Sequence, residues 1–251
     1  MKIWAHRGCS QNYPENTLTA FSKAAELKHL AGIEFDVQLT KDGEIVVIHD
    51  ERVDRTTNGI GFVRDFTLKE IKSFAIYTGC EKIERIPTLE EVFELLGDRL
   101  KRDDGFKLNI ELKNSVYYYD GLEEKTINLA AKMGWAKNVV YSSFYTRSVV
   151  KVREILPTAE IAVLDSSVSS CLYKCRGIAK DGDDAKRIAL HPFWQGIDLS
   201  AKDLAGYTVR GWFGGHLFPE KPTGGRLDFA LLERQGITDV MINEPEVYVE
   251  R

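Results

Sequence analysis

The sequence predicts an α/β fold of the TIM (β/α)8 type, carried as a single domain over residues 1–251. Two patterns point to it. Short apolar runs with strand periodicity alternate with stretches of helical spacing along most of the chain. Histidines and charged residues gather at the C-terminal ends of the runs, the face on which barrels of this type build their sites. The length agrees, since 251 residues match the about 250 that such a barrel requires.

Lys2-Ile3-Trp4-Ala5 reads as the first strand and runs into His6-Arg7-Gly8. Pro14-Glu15-Asn16-Thr17 then introduces Leu18, Phe21, Ala24, Ala25 and Leu27, whose spacing is helical. Glu15 and Asn16 here either cap the helix or help to order a site. From Gly32 the chain reads Ile33-Glu34-Phe35-Asp36-Val37, which as a strand sends both acids to one face and the apolar residues to the other. A turn at Lys41-Asp42-Gly43 leads to Ile45-Val46-Val47-Ile48, an extra β element that delivers His49 and Asp50 at its end.

Residues from about 51 to 103 break the alternation and are expected to form an insertion on a barrel loop. Within them Thr67 to Ile71 begins a short helix, and Thr88 with Glu91 forms a capping box ahead of a longer one. Phe106 to Lys113 alternates strictly, placing Asn109, Glu111 and Lys113 on one face. Helical spacing over Leu122–Met133 and Thr146–Leu156 brackets a strand at Asn138–Ser142. Ile161–Leu164, Ile188–Pro192, Tyr207–Trp212 and Asp239–Ile242 complete eight barrel strands, with Ile45–Ile48 additional. Between Ser166 and Arg187 turn and helix signals mix, and no boundaries emerge.

Composition narrows the function classes. A hydrophobic fraction of 43%, a charged fraction of 29% and a net charge of −4 suit a soluble enzyme and argue against a general nucleic-acid binder. No apolar run nears the roughly 20 residues of a membrane span, and no apolar leader precedes the first strand, so a cytoplasmic protein is expected. Among the cysteines Cys9, Cys80, Cys171 and Cys175, only the last two are close, at helical spacing, and reduced structural thiols are expected.

Glu34, Asp36 and Glu111 on adjoining strand ends make an oxygen-rich site for one divalent cation, Mg²⁺ or Ca²⁺. Such a cluster of like charges is costly without one. Arg7 and Lys113 then face an anion, and a phosphate group fits their charge and donor geometry. His6 and His49 have the chemistry to act as acid and base in cleaving a phosphodiester, in an order the sequence leaves open. Asp50 orients His49 or serves the turn, Trp212 is core or pocket wall, and His29 and His191 read as ordinary residues.

Several of these segments closely resemble the glycerophosphodiester phosphodiesterase family. They are His6-Arg7-Gly8, Pro14-Glu15-Asn16-Thr17, Glu34 to Gly43, Val46 to Asp50, Arg55-Thr56-Thr57 and Ile86-Pro87-Thr88-Leu89. The likeness is dense from Lys2 to Lys113, continues at Ser142-Ser143-Phe144, and returns at Ile242-Asn243-Glu244-Pro245. It implies a TIM barrel with an inserted segment, a divalent metal on Glu34, Asp36 and Glu111, His6 and His49 as the acid–base pair, and phosphate contacts from Arg7 and Lys113. The substrate it implies is a small phosphodiester, cut to glycerol 3-phosphate and an alcohol. Where many members carry a Trp-Thr-Val-Asn-like strand end, this chain has Gly211-Trp212-Phe213-Gly214-Gly215-His216, which keeps the tryptophan and lacks the polar pair. A lysophospholipase D activity is the alternative substrate reading. A non-catalytic phosphate-binding barrel would lack an acid–base residue, whereas both histidines are present.

Overall fold

The structure, a computed structural model, describes residues 1–77, 83–102, 104–213 and 226–250. Its strands are β1 (Lys2–His6), β2 (Gly32–Leu39), β3 (Ile45–Val47), β4 (Ile76–Tyr77), β5 (Ile83–Glu84), β6 (Lys107–Leu112), β7 (Val139–Ser143), β8 (Glu160–Asp165), β9 (Ile188–Pro192), β10 (Arg210–Trp212) and β11 (Asp239–Ile242). Its α-helices are α1 (Leu18–Ala25), α2 (Leu68–Ile71), α3 (Leu89–Leu100), α4 (Leu122–Lys132), α5 (Thr146–Ile155), α6 (Val168–Ile178), α7 (Gly182–Ala185) and α8 (Phe229–Arg234).

Eight parallel strands follow one another in the order β10-β11-β1-β2-β6-β7-β8-β9. Between β9 and β10 the sheet is completed by single bridges, Leu190 to Val209 and Phe193 to Trp212. The result is a nearly closed TIM barrel, as the alternation of strand and helix patterns predicts. β3 folds back antiparallel on the end of β2, pairing Val37 with Val47, so the hairpin expected around Lys41-Asp42-Gly43 is present.

The helices begin where their capping residues dictate. Thr17, rather than Glu15 or Asn16, caps α1 by accepting from the Ala20 amide. Both expected threonine starts are realised as capping boxes, Thr67 with Glu70 on α2 and Thr88 with Glu91 on α3. The stretch from Ser166 to Arg187 resolves into α6 and α7, capped by Ser167 and Asp181. The buried face of α6 is only Val168, Cys171, Leu172 and Cys175, two of them cysteines, and Gly177 sits near its end, which is why its period is hard to read in the sequence.

The main core lies between the barrel wall and its helices and includes Phe21, Phe35, Leu108, Ile110, Val163 and, from α3, Val92, Phe93 and Leu96. Val46, Ile48, Val53, Val63, Ile71, Ile76 and Ile86 form a smaller cluster of their own. Inside the barrel, near the N-terminal strand ends, Trp4 Nε1 and Arg210 Nε both donate to Asp239 Oδ2, at 3.0 and 3.1 Å. The Arg210 guanidinium also covers the Trp4 ring at 3.9 Å and reaches His191 Nε2 at 2.9 Å. This buried charge is paired on several sides, which is what its burial requires. Cys171 and Cys175 are buried in the main core. Cys80 lies outside the described residues. No helix among the described residues is long and apolar enough to cross a membrane.

Candidate active site

Strand register sets the site. His6 stands opposite Glu34, Asp36 opposite Glu111, and Glu111 opposite Ser142. Because side chains alternate along a strand, Glu34 and Asp36 share the interior face near the C-terminal ends. Glu34, Asp36 and Glu111 each place an oxygen within 4.8 Å of the others, and all three are buried. His6, Arg7, Glu34, His49, Glu111, Lys113 and Trp212 line one cavity of about 250 Å³. Asp36 is fully buried beside these residues, 3.8 Å from Lys113 Nζ. The eight side chains picked from the sequence as candidates therefore meet at one end of the barrel.

The backbone is bent to deliver them. Arg7 and Asn16 occupy left-handed conformations, at φ 58° and 55°, which non-glycine residues adopt only when their surroundings hold them there. Gly8 must be glycine, since a Cβ there would meet the Ala20 carbonyl carbon at 2.7 Å with φ at +83°.

The two histidines are oriented in the same way. His6 Nδ1 lies 2.7 Å from Asn243 Oδ1, and His49 Nδ1 lies 2.7 Å from Asp50 Oδ1. With Nδ1–H donated to an oxygen, each ring keeps Nε2 for the cavity. His6 Nε2 stands 3.7 Å from Glu34 Oε2. Burial and the neighbouring Arg7 push His6 down to about 3, so its ring is neutral.

The acids divide. Burial and the Asp36 charge raise Glu34 well above the usual carboxylate range, and burial raises Glu111 as well. Burial also works to raise Asp36, but His49, Arg7, Lys113 and the Asn16 amide overcome it and hold this acid below its usual range. Lys113 Nζ lies 2.9 Å from Glu111 Oε1, and Arg7 Nη1 lies 3.0 Å from Glu15 Oε1. Three buried carboxylates this close cannot all be ionised in a dry pocket without a cation. Among the described residues Asp36 Oδ1 has no hydrogen-bond donor, and a hard divalent cation would satisfy it. The residues present thus fit such an ion.

Three further residues were not singled out by sequence, whereas Asn16 takes the second of its two expected roles and helps to order the site. Asn16 donates to Asp36 Oδ2 at 3.0 Å. Arg55 bridges Asp50 and Glu15, Asn243 anchors His6, and Gln38 binds the backbone around His49. Each lies in a segment that carries the family resemblance, but Asn243 meets His6 and Arg55 meets Glu15 from distant parts of the chain, and no local pattern ties Gln38 to His49 or Arg55 to Asp50. Asp50 takes the first of its two expected roles and orients His49. His191 is a buried packing residue, as read. Gly214, Gly215 and His216 lie outside the described residues. Trp212 is half-buried, with Phe144 at 6.0 Å and Phe193 at 4.9 Å between ring centres.

Known proteins resemble the chain over its whole length. A glycerophosphodiester phosphodiesterase of Caldanaerobacter subterraneus is 48% identical over 254 residues, covering 98% of this chain and 96% of its own. A solved phosphodiesterase of Oleispira antarctica, in complex with the product sn-glycerol-3-phosphate, is 26% identical with a TM-score of 0.72, covering 98% and 94%. The solved glycerophosphodiester phosphodiesterase of Agrobacterium tumefaciens, at 24% identity and a TM-score of 0.70 over 99% and 98% of the two chains, shares the fold. The sequence profile of the glycerophosphoryl diester phosphodiesterase family matches residues 6–221, and the chain belongs to that family of enzymes.

Proposed function

We propose that the chain hydrolyses glycerophosphodiesters to glycerol 3-phosphate and an alcohol, with one divalent cation, Mg²⁺ or Ca²⁺, on Glu34, Asp36 and Glu111. One observation carries the reading: Glu34 and Glu111 of the buried carboxylate triad, both histidines, and the cations Arg7 and Lys113 line one small cavity, with Asp36 buried beside them. The segment from about 51 to 103 is, in this reading, an insertion that brings Arg55 to the site. When bound, the metal polarises the phosphoryl group and offsets charge in the transition state.

The side chains do the rest. Arg7 and Lys113 grip the phosphate oxygens, exchanging part of their present carboxylate contacts for the substrate's. His6, held neutral, takes a proton at Nε2 from the attacking hydroxyl. His49 acts as an imidazolium, its Nδ1–H held by Asp50, and gives its Nε2 proton to the departing alkoxide, which leaves the ring neutral. Trp212 with Phe144 forms an aromatic wall beside the alcohol group. The same acid and base serve whether water or the glycerol 2-hydroxyl attacks; trapping a cyclic glycerophosphate would identify the latter. A cytoplasmic location belongs to the proposal, and buried thiols at Cys171 and Cys175 accord with a reducing compartment.

The test is release of choline or ethanolamine from the corresponding glycerophosphodiesters with Mg²⁺ or Ca²⁺ and with a chelator. Metal-dependent release supports the reading, and its absence overturns it. A second substrate reading has one observation in its favour: Val116 lines the cavity and is 62% exposed, an apolar contact for a lysophospholipid chain at the mouth. Choline release from lysophosphatidylcholine at a rate matching glycerophosphocholine would favour it.

A further inference from the structure

We infer that Arg55 and Glu15 are positioning residues that tie the grip of Arg7 to the orientation of His49. The inference rests on the reading above, in which Arg7 binds phosphate and His49 moves a proton. Its basis is an unbroken run of side-chain contacts joining the loop between β1 and α1 to the segment after β3. His49 Nδ1 lies 2.7 Å from Asp50 Oδ1. Arg55 holds that same carboxylate with two donors, Nε to Oδ2 at 2.6 Å and Nη2 to Oδ1 at 3.1 Å. Its remaining donors close on Glu15, Nη1 to Oε2 and Nη2 to Oε1, both at 2.8 Å. Glu15 Oε1 also accepts from Arg7 Nη1 at 3.0 Å, and Arg7 Nε stands 3.5 Å from Asp36 Oδ2.

Arg55 thus spends its planar fork on two carboxylates at once. A guanidinium can give two donors to each carboxylate, whereas an ammonium has three in all, from a single atom. The charges along the run alternate, Arg7, Glu15, Arg55, Asp50, so they offset one another. Asp50 can then aim the His49 ring while its own charge is answered by Arg55. A half-exposed ion pair adds little to stability, and so the order it imposes on His49 is the consequence that matters. Movement at Arg7 as it takes a phosphate would pass through Glu15 and Arg55 to the imidazole.

The full-length enzyme with Mg²⁺ tests this through R55Q, R55K and E15Q. Loss of a buttressing contact of this kind is expected to lower kcat by about 10- to 100-fold. KM for glycerophosphocholine should move far less in R55Q, and the melting temperature should stay near that of wild type. E15Q frees Arg7 as well as Arg55, so there KM should rise along with the fall in kcat. R55K should lie between wild type and R55Q, retaining the charge without the fork. Nitrogen-15 spectra of the histidine rings give an independent readout: an Nδ1–H signal of His49 hydrogen-bonded to Asp50 in wild type, lost or exchange-broadened in R55Q. Unchanged kcat in R55Q, or a lowered kcat with the His49 signal intact, would overturn the inference. H49A separates the two levels. A fully active H49A removes the underlying reading, whereas an inactive H49A beside a fully active R55Q removes only the role of Arg55.

Discussion

Tyr119, on the loop beyond β6, donates its phenol to the Gln38 side-chain carbonyl at 2.8 Å. Gln38 is fully buried at the end of β2, and its amide nitrogen reaches the carbonyls of Ile48, His49 and Asp50 at 3.0, 3.1 and 2.7 Å. One carboxamide thereby joins the loop after Lys113 to the segment carrying His49. Y119F is predicted to leave the Gln38 carbonyl buried without a donor, a cost of about 1–3 kcal/mol. Denaturant unfolding should show that loss, and kcat should fall as the His49 backbone loosens. An unfolding midpoint equal to wild type would mean that water replaces the phenol.

If His49 protonates the leaving group, H49A should cut turnover of glycerophosphocholine by about 10²–10⁴-fold. A phosphodiester with a p-nitrophenol leaving group departs without a proton, and H49A should lose far less with it. H6A should lose activity on both substrates, because the attacking hydroxyl needs its base in either case. Equal losses for H49A on the two substrates would count against the division of roles.

Binding of a cation should be visible without turnover. In its absence the triad is kept from full ionisation by burial and mutual repulsion, which raise Glu34 and Glu111. With free Mg²⁺ or Ca²⁺ at about a hundred times its Kd, the free energy of unfolding should rise by about 2.7 kcal/mol. E111Q should flatten that response, as should a chelator. A melting temperature insensitive to both ions would speak against the metal site.

Away from the site, His191 gives a pH dependence of stability. Burial, and then Arg210 at 2.9 Å, push this histidine well below its ordinary 6.5. The unfolded chain therefore takes up a proton near pH ~6.5 that the folded chain refuses, so stability is lost as pH falls below that value. At pH ~5.5 the loss from this group reaches about 1.3 kcal/mol relative to neutral pH. In H191Q that contribution is gone, so the stability gap between wild type and H191Q should narrow on acidification. Parallel stability curves for the two proteins would refute the assignment.

What the sequence by itself determined is the barrel and the residue types at its strand ends. Period-two runs, capping threonines at Thr67 and Thr88, and the acids and histidines after β1, β2, β3 and β6 are local properties, so they can be read in order along the chain. The family resemblance lies in the same segments. The tertiary structure decided the partnerships. Register alone brings Asp36 opposite Glu111 across seventy-odd residues of chain. Asn16 reaches Asp36 and Arg55 reaches Glu15 only because separate loops fold over one cavity. The left-handed turn at Arg7 is likewise held by tertiary contacts against the preference of the residue, while at Asn16 the residue type tolerates it. A strand pattern specifies which face a carboxylate takes. Which charges then answer it depends on distances in space, and these arise only when the sheet closes.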